Sequence, residues 1–155
     1  MAGTHSAGLV LHRTVDGVVQ ILLVHPGGPY WANKNRHGWS IPKGEFDPAA
    51  EDPLVAARRE FAEELGHPAP AEDPIPLAPL RAGRKTIHAF VVEGDLDPAT
   101  MTSNHFEMEW PPRSGRMASF PEVDRAAWFD LTAARDRLHK GQIPLCDRIE
   151  AAIQP

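Results

Sequence analysis

The sequence predicts a mixed fold of the α/β (α+β) class. Three observations predict it: a hairpin signal near the N-terminus, one sharply delimited helix in the middle of the chain, and a helical pattern at the C-terminus, with further strand-like segments between them. The chain has 155 residues, of which 42% are hydrophobic and 24% charged, the composition of an ordinary globular protein. We therefore expect a single domain over residues 1–155 with one hydrophobic core.

The strands are predicted from aliphatic and β-branched runs. Residues 8–12 and 18–24 form the first two, and Asp16 and Gly17 between them are a strong hairpin signal. A turn-rich loop at 26–38, a short extended segment at 39–42 and a second loop at 43–52 follow. Further strands are expected at 85–92, 106–110 and 126–129, and irregular connectors at the proline-rich residues 68–79 and at 111–117. The C-terminal helical region runs from 131 to about 153.

The best-defined element is a helix over residues 53–65. Asp52 is a good N-cap, Pro53 suits the first helical position, and Gly66 suits the stop. Apolar side chains recur along one side of this helix, so that side is expected to pack on the core.

Three carboxylates share one face of this helix near its C-terminus. Glu60, Glu63 and Glu64 repel one another there and face the negative end of the helix dipole. Their crowding should raise their pKa values unless a cation is bound, and hard divalent cations such as Mg²⁺ take carboxylate ligands. Arg59, four residues before Glu63, can pair with it. A solvated acidic helix face without a metal is the alternative interpretation.

Together with the upstream residues, the chain resembles the MutT-like Nudix hydrolases. Their signature is G-x5-E-x7-R-E-U-x-E-E-x-G-U, where U is a bulky aliphatic residue. Here Gly44 opens the box, Glu51 supplies the middle glutamate, and residues 59–66 follow at the family spacing. Six residues rather than five separate Gly44 from Glu51, and Phe61 and His67 stand where aliphatic residues are usual.

The similarity extends beyond the box. Residues 39–44 are similar to the W-x-x-P-K-G segment of the dinucleoside polyphosphate hydrolases and diphosphoinositol phosphatases of the family. Nearly the whole chain resembles a bacterial subgroup described as predicted NTP pyrophosphohydrolases.

The resemblance implies a Nudix α/β/α sandwich, a mixed sheet between helices with the box as a loop-helix-loop. It implies a divalent-metal-dependent hydrolase that cleaves a phosphoanhydride bond in a nucleoside diphosphate linked to another moiety, with Mg²⁺ as cofactor, which Mn²⁺ can replace. Nucleoside triphosphates or dinucleoside polyphosphates are favoured as substrates. An ADP-ribose or nucleotide-sugar pyrophosphatase and a catalytically silent nucleotide-binding domain remain alternatives.

The resemblance also implies roles for individual residues. Glu60, Glu63 and Glu64 would bind the metal with the backbone carbonyl of Lys43 or Gly44. Arg59 would orient the glutamates and Glu51 would support them, while Glu107 or Glu109, on an alternating strand, is a candidate for an additional catalytic glutamate. An exposed polar strand face explains those last two equally well. The candidate substrate contacts are the cations Lys43, Arg84, Lys85 and Arg113 and the aromatic residues Tyr30 and Trp31.

Charge and composition exclude several classes of partner. The net charge of −5 argues against a nucleic-acid polymer, and no apolar run approaches the ~20 residues that span a bilayer. The N-terminus lacks a secretory signal pattern, and a single cysteine, Cys146, permits no intrachain disulfide, which together predict a cytoplasmic location. The expected partner is a small-molecule nucleotide, and the chain is a monomer or a homodimer.

Overall fold

A mixed sheet between two helical layers organises the chain, in a computed structural model that describes residues 3–153. The strands are β1 (Thr4–Val15), β2 (Val18–Pro26), β3 (Lys43–Phe46), β4 (Ile75–Pro76), β5 (Leu80–Ala82), β6 (Lys85–Glu93), β7 (His105–Glu109), β8 (Met117–Pro121) and β9 (Val123–Asp130). The helices are α1 (Pro53–Leu65), α2 (Leu131–Arg137) and α3 (Pro144–Ile153). Within residues 3–153, none of the helices combines the length and the apolar character needed to cross a membrane.

Seven strands form the main sheet, in the order β4-β6-β1-β2-β9. β3 pairs with the first part of β1, and β5 pairs with β6. The β1–β6 pair is parallel and the other pairs are antiparallel. β7 and β8 form a separate antiparallel hairpin.

Each face of the sheet carries its own hydrophobic core. On one face, Phe61 and Leu65 of α1 pack with Leu9 and Leu22 of the sheet. On the other, α2 and α3 cover residues such as Val10 and Ile21 through the side chains Ala134, Leu138, Leu145 and Ile149. This arrangement confirms the predicted α/β/α sandwich.

The N-terminal hairpin has the predicted turn. Asp16 and Gly17 both have positive φ angles, of 51° and 79°, and Val15 pairs with Val18 across them. Positive φ at both central residues is the geometry of a two-residue type I′ turn, which favours Asp-Gly.

β1 begins four residues earlier than predicted. Residues 4–7 are polar or small, but they are paired on both edges, with β3 on one side and β6 on the other. This tertiary pairing overrides a weak local strand preference. Gly8 allows the close approach of the next segment, because an added Cβ would lie 2.7 Å from both the Ile41 side chain and the Pro42 carbonyl oxygen.

The prediction also omitted four short strands and a break in the C-terminal helix. β3 lies in the predicted loop at 43–52, β4 and β5 lie in or beside the expected connector, and β8 follows the predicted loop at 111–117. The C-terminal region is divided because the backbone around Leu138 is extended and pairs with Trp39, where the His139 N–H donates to the Trp39 carbonyl at 2.8 Å. Pro144 then starts α3.

Helix α1 has the predicted bounds, and its caps explain them. The Asp52 side chain accepts from the backbone N–H groups of Leu54 at 3.0 Å and Val55 at 3.4 Å. At the other end Gly66 adopts the left-handed conformation, with φ of 71°, and its N–H donates to the Ala62 carbonyl at 2.8 Å.

Because Asp52 satisfies N–H groups that would otherwise lack an intrahelical partner, we expect Asp52→Ala to lower the free energy of unfolding by about 1 kcal/mol. Urea unfolding followed by circular dichroism measures this. Asp73→Ala, which removes an exposed carboxylate from the connector after α1, should leave the midpoint nearly unchanged. Equal midpoints for Asp52→Ala and the wild type would contradict the capping role.

Candidate active site

The end of α1 brings its acidic face against strand β3. Glu60 is only 9% exposed, and its carboxylate lies directly over Gly44. A Cβ at position 44 would overlap the Glu60 carboxylate, so this contact requires glycine. Glu64 lies one turn further on and accepts a hydrogen bond from the backbone N–H of Lys43 at 3.0 Å.

Burial changes the acidity of two of these glutamates. Loss of hydration raises the pKa of Glu64 to about 8, and the charge of Glu60 adds to this, whereas the Lys43 N–H opposes it. Burial also raises the pKa of Glu60, against the stabilising hydrogen bond from Arg59. A bound divalent cation would reverse both effects, because it favours the ionised carboxylates.

The Glu64 shift makes the metal-free protein sensitive to pH. Its pKa of about 8 in the folded state lies above the ordinary value of 4.5, so the folded state holds a proton that the unfolded chain has already lost. The stability that this proton contributes is complete below about pH 4.5 and is lost as the pH rises through 8.

We therefore expect Glu64→Gln, which cannot ionise, to become progressively more stable relative to the wild type between pH 5 and pH 8 in the presence of a chelator. Thermal unfolding of both proteins across this range measures the difference. Added Mg²⁺ should reduce it at pH 8. If the melting temperatures of the two proteins changed by the same amount with pH, the raised pKa of Glu64 would be contradicted.

Arg59 gathers the other carboxylates. Its Nε and Nη2 donate to the two oxygens of Glu51 at 3.0 and 2.9 Å, and its Nη1 donates to Glu60 at 2.8 Å. Glu63, the partner that the helical spacing suggests, lies further away, with 3.5 Å between Arg59 Nη1 and Glu63 Oε2. These hydrogen bonds lower the pKa of Glu51 and raise that of Arg59. The guanidinium therefore keeps Glu51 ionised and fixes the rotamer of Glu60.

A further carboxylate, which was not predicted from the sequence, joins the cluster. Glu122 lies between β8 and β9 and lines the same cleft as Glu64. Its charge contributes to the raised pKa values of both Glu60 and Glu64. Its backbone is held by the Gly27 N–H, which donates to the Glu122 carbonyl at 2.9 Å, and by its own N–H, which donates to Asn104 at 2.7 Å. No predicted element pointed to this residue, because β8 was not predicted and the following strand was predicted to begin only at residue 126.

Glu107 and Glu109 are not brought to the cluster. Phe106 and Met108 line the cleft, so the two glutamates that alternate with them lie on the opposite, exposed face of the β7–β8 hairpin. Glu109 instead accepts from the Arg113 N–H at 2.7 Å. The predicted alternation of apolar and acidic residues along β7 is observed. The apolar side of this strand, however, lines the cleft rather than the core.

A cleft of about 390 Å³, which we call the aromatic cleft, opens beside the carboxylates. Tyr30, Trp31, Phe106 and Met108 line it together with Glu64. Tyr30 is 59% exposed and its ring packs edge-on against Trp110, with 5.4 Å between the ring centroids. The residues that line the aromatic cleft are Pro26, Gly27, Gly28, Pro29, Tyr30, Trp31, Glu64, Phe106, Met108 and Glu122.

Trp31 also lines a second cavity, of about 330 Å³. We call it the lysine cavity, because Lys43 and Lys85 line it together with His139 and Gln142. Burial lowers the pKa of Lys43, and the charge of Lys85 adds to this while Glu64 opposes it. An anion in this cavity would relieve the repulsion between the two lysines.

Four of the six predicted substrate contacts line these cavities: Tyr30 and Trp31 in the first, and Trp31, Lys43 and Lys85 in the second. Arg84 and Arg113 line neither. Arg84 lies in the turn between β5 and β6, and Arg113 lies in the turn of the β7–β8 hairpin with a positive φ of 61°.

The donor set fits a hard divalent ion. All its side-chain donors are carboxylate oxygens, two of them buried enough to have raised pKa values, and no bulkier residue than glycine fits beneath Glu60. Across residues 3–153, no three carboxylate, imidazole or thiolate groups already lie close enough together to hold a metal ion. Mg²⁺ usually takes only one or two protein carboxylates, together with waters and substrate oxygens, and the α1 carboxylates can supply these.

Comparison with known proteins gives one family. The family model described as NUDIX domain matches residues 4–149. The RNA pyrophosphohydrolase of Caulobacter vibrioides is 43% identical over 60 residues, which cover 36% of this chain and 33% of that protein. The match thus spans about a third of the length of this curated relative.

Solved structures show the same fold. An Ap4A hydrolase of C. elegans in a binary complex has a TM-score of 0.61 and 21% identity, with 97% of each chain covered. The NUDIX domain of Shewanella oneidensis NrtR, complexed with ADP ribose, has a TM-score of 0.65 and 15% identity, with 99% of this chain and 90% of that chain covered. At these identities the likeness concerns the fold alone.

Proposed function

Because the chain belongs to the NUDIX domain family, we propose that it hydrolyses a phosphoanhydride bond in a nucleoside diphosphate linked to another moiety. The observation that carries the proposal is the position of Glu64, which lines the aromatic cleft and accepts a hydrogen bond from the backbone N–H of Lys43, a residue that lines the cavity with two lysines. A nucleotide combines an aromatic base with an anionic chain and so matches both spaces.

Mg²⁺, replaceable by Mn²⁺, is the proposed cofactor. Glu60, Glu63 and Glu64 would hold it, with the backbone carbonyl of Lys43 or Gly44 as a further ligand. When bound, the ion supplies positive charge to the phosphate oxygens and lowers the pKa of a bound water.

The remaining residues act on position and protonation. Arg59 holds Glu60 in its rotamer and keeps Glu51 beside it. Glu122 is exposed and lines the cleft, and its carboxylate would accept the proton of the attacking water. We assign it the role of the additional glutamate, in place of Glu107 and Glu109.

Two features favour a substrate with a long phosphate chain. The base would lie between Tyr30 and Phe106, where aromatic faces are accessible. Phosphates beyond the scissile bond would lie against Lys43 and Lys85. This supports a nucleoside triphosphate or a dinucleoside polyphosphate over ADP-ribose, in which a neutral sugar would occupy the lysine cavity. We further propose that the chain acts as a single domain, in the cytoplasm, on a small nucleotide, as a monomer or homodimer.

A substrate panel tests the function. Purified protein is assayed with ATP, diadenosine tetraphosphate, ADP-ribose and UDP-glucose, with MgCl₂, MnCl₂ or a chelator, and products are separated by chromatography. We expect metal-dependent cleavage with a preference for the first two compounds, and Lys85→Met should reduce that preference. A preference for ADP-ribose would support the alternative pyrophosphatase, and nucleotide binding without turnover of any compound would identify a catalytically silent domain.

A further inference from the structure

The aromatic loop, residues 27–38, carries Tyr30 and Trp31 but contains no helix or strand. Such a loop needs specific contacts to hold its side chains in place. Three contacts converge on Lys34. Its N–H donates to the Trp31 carbonyl at 2.9 Å, and its Nζ lies 4.8 Å from the centroid of the Trp31 ring. Its own carbonyl accepts from His25 Nε2 at 2.7 Å. The Lys34 backbone therefore helps to hold Trp31, whose ring also packs edge-on against His139, with 5.1 Å between the centroids.

His25 anchors that carbonyl from inside the protein. It lies near the end of β2 with no exposed surface, and its ring packs edge-on against Trp39 at 5.2 Å between centroids. Nε2 donates to the Lys34 carbonyl, and Nδ1 lies 2.8 Å from the Asp124 carboxylate. The imidazole therefore bridges two segments of the chain, one through each ring nitrogen.

The second segment also reaches the active site. Asp124 follows Glu122 by two residues, and the Glu122 carbonyl accepts from the Gly27 N–H at the start of the aromatic loop. His25 thus connects the loop that carries Trp31, which lines both cavities, to the segment that contains Glu122.

We propose that His25 is a positioning residue: it fixes Trp31 and the Glu122 segment relative to each other, and so sets the width of the aromatic cleft. This rests on the proposed function for its effect on substrate, but not for its effect on Trp31. No other natural side chain presents two ring nitrogens that can each form a hydrogen bond to a different segment in this way.

The test separates the two effects. The protein is labelled with 5-fluorotryptophan, and the four tryptophan resonances, whose residues are Trp31, Trp39, Trp110 and Trp128, are assigned by single substitutions to Phe. His25→Gln should shift or broaden the Trp31 resonance and leave Trp128, on β9, unchanged. In the kinetic arm, the KM for ATP should rise about tenfold or more, because misplacing a binding group by ~1 Å can have effects of this size, while Mn²⁺ affinity stays that of the wild type.

The controls come from the same region. His37→Asn removes another histidine of the aromatic loop, whose Nδ1 bonds to Leu138 rather than to the Lys34 anchor, and Asn tolerates its positive φ of 55°. It should leave the Trp31 resonance in place. Asp124→Asn keeps a hydrogen-bonding group next to Nδ1. Its KM should therefore stay closer to the wild-type value than the KM of Asp124→Ala.

The outcomes are distinct. An unmoved Trp31 resonance in folded His25→Gln overturns the proposal, whether or not the protein hydrolyses ATP. A general loss of folded protein with unchanged KM in the remainder also overturns it, because that shows a purely structural role. A shifted Trp31 resonance in a protein that cleaves none of the panel would support the positioning role and overturn only the proposed function.

Discussion

Glu64→Gln is expected to lower kcat/KM for the preferred nucleotide by roughly 100-fold or more, the usual range for losing a group that acts on charge or protons in the transition state. Glutamine has the same shape and can still accept from the Lys43 N–H, which the native carboxylate accepts at 3.0 Å. It lacks the negative charge, so the loss arises from chemistry rather than from unfolding. Steady-state assays with MgCl₂, together with Mn²⁺ titration, measure both consequences.

Glu107→Gln is the matched control for this substitution. It makes the same chemical change on the exposed face of β7, away from the cleft, and activity should stay close to that of the wild type. Near-normal activity and metal binding in Glu64→Gln would remove the basis for placing the metal at α1.

The second large effect is expected at Gly44. In Gly44→Ala the new methyl group would overlap the Glu60 carboxylate, so either the side chain or strand β3 must move. A shift of ~1 Å in a catalytic group can reduce the rate about 100-fold. We expect a loss of that order in kcat, together with weaker Mn²⁺ binding, in a protein that still folds.

Glu45→Ala provides the comparison, because it alters the next residue of β3, whose side chain is exposed. It should keep both kcat and metal affinity. If Gly44→Ala behaved like Glu45→Ala, the close contact between β3 and Glu60 would have no functional importance.

Local signals explain why α1 was predicted with its observed bounds. Asp52, Pro53 and Gly66 act on the backbone within a few residues, through side-chain caps and a left-handed stop. The carboxylate cluster of α1 follows from the same helix, because residues three and four apart share a face. These features need no knowledge of the rest of the chain.

Several features that were not predicted from the sequence depend on contacts between distant parts of the chain. Glu122 reaches the cluster because β9 pairs with β2, about a hundred residues earlier in the chain. The first residues of β1 become a strand only when β3 and β6 flank them. Whether Glu107 and Glu109 reach the cleft depends on which face of β7 lines it. Alternation in the sequence defines two faces of a strand but does not indicate what each face contacts.

Trp31 lines both the aromatic cleft and the lysine cavity, which has a consequence for how the reaction ends. On the proposed assignment, hydrolysis leaves the nucleotide product in the aromatic cleft and the other phosphate-bearing product in the lysine cavity. The two products then occupy separate spaces and can be bound at the same time. Product inhibition should therefore be cooperative or additive rather than mutually exclusive, and each product should leave by its own exit.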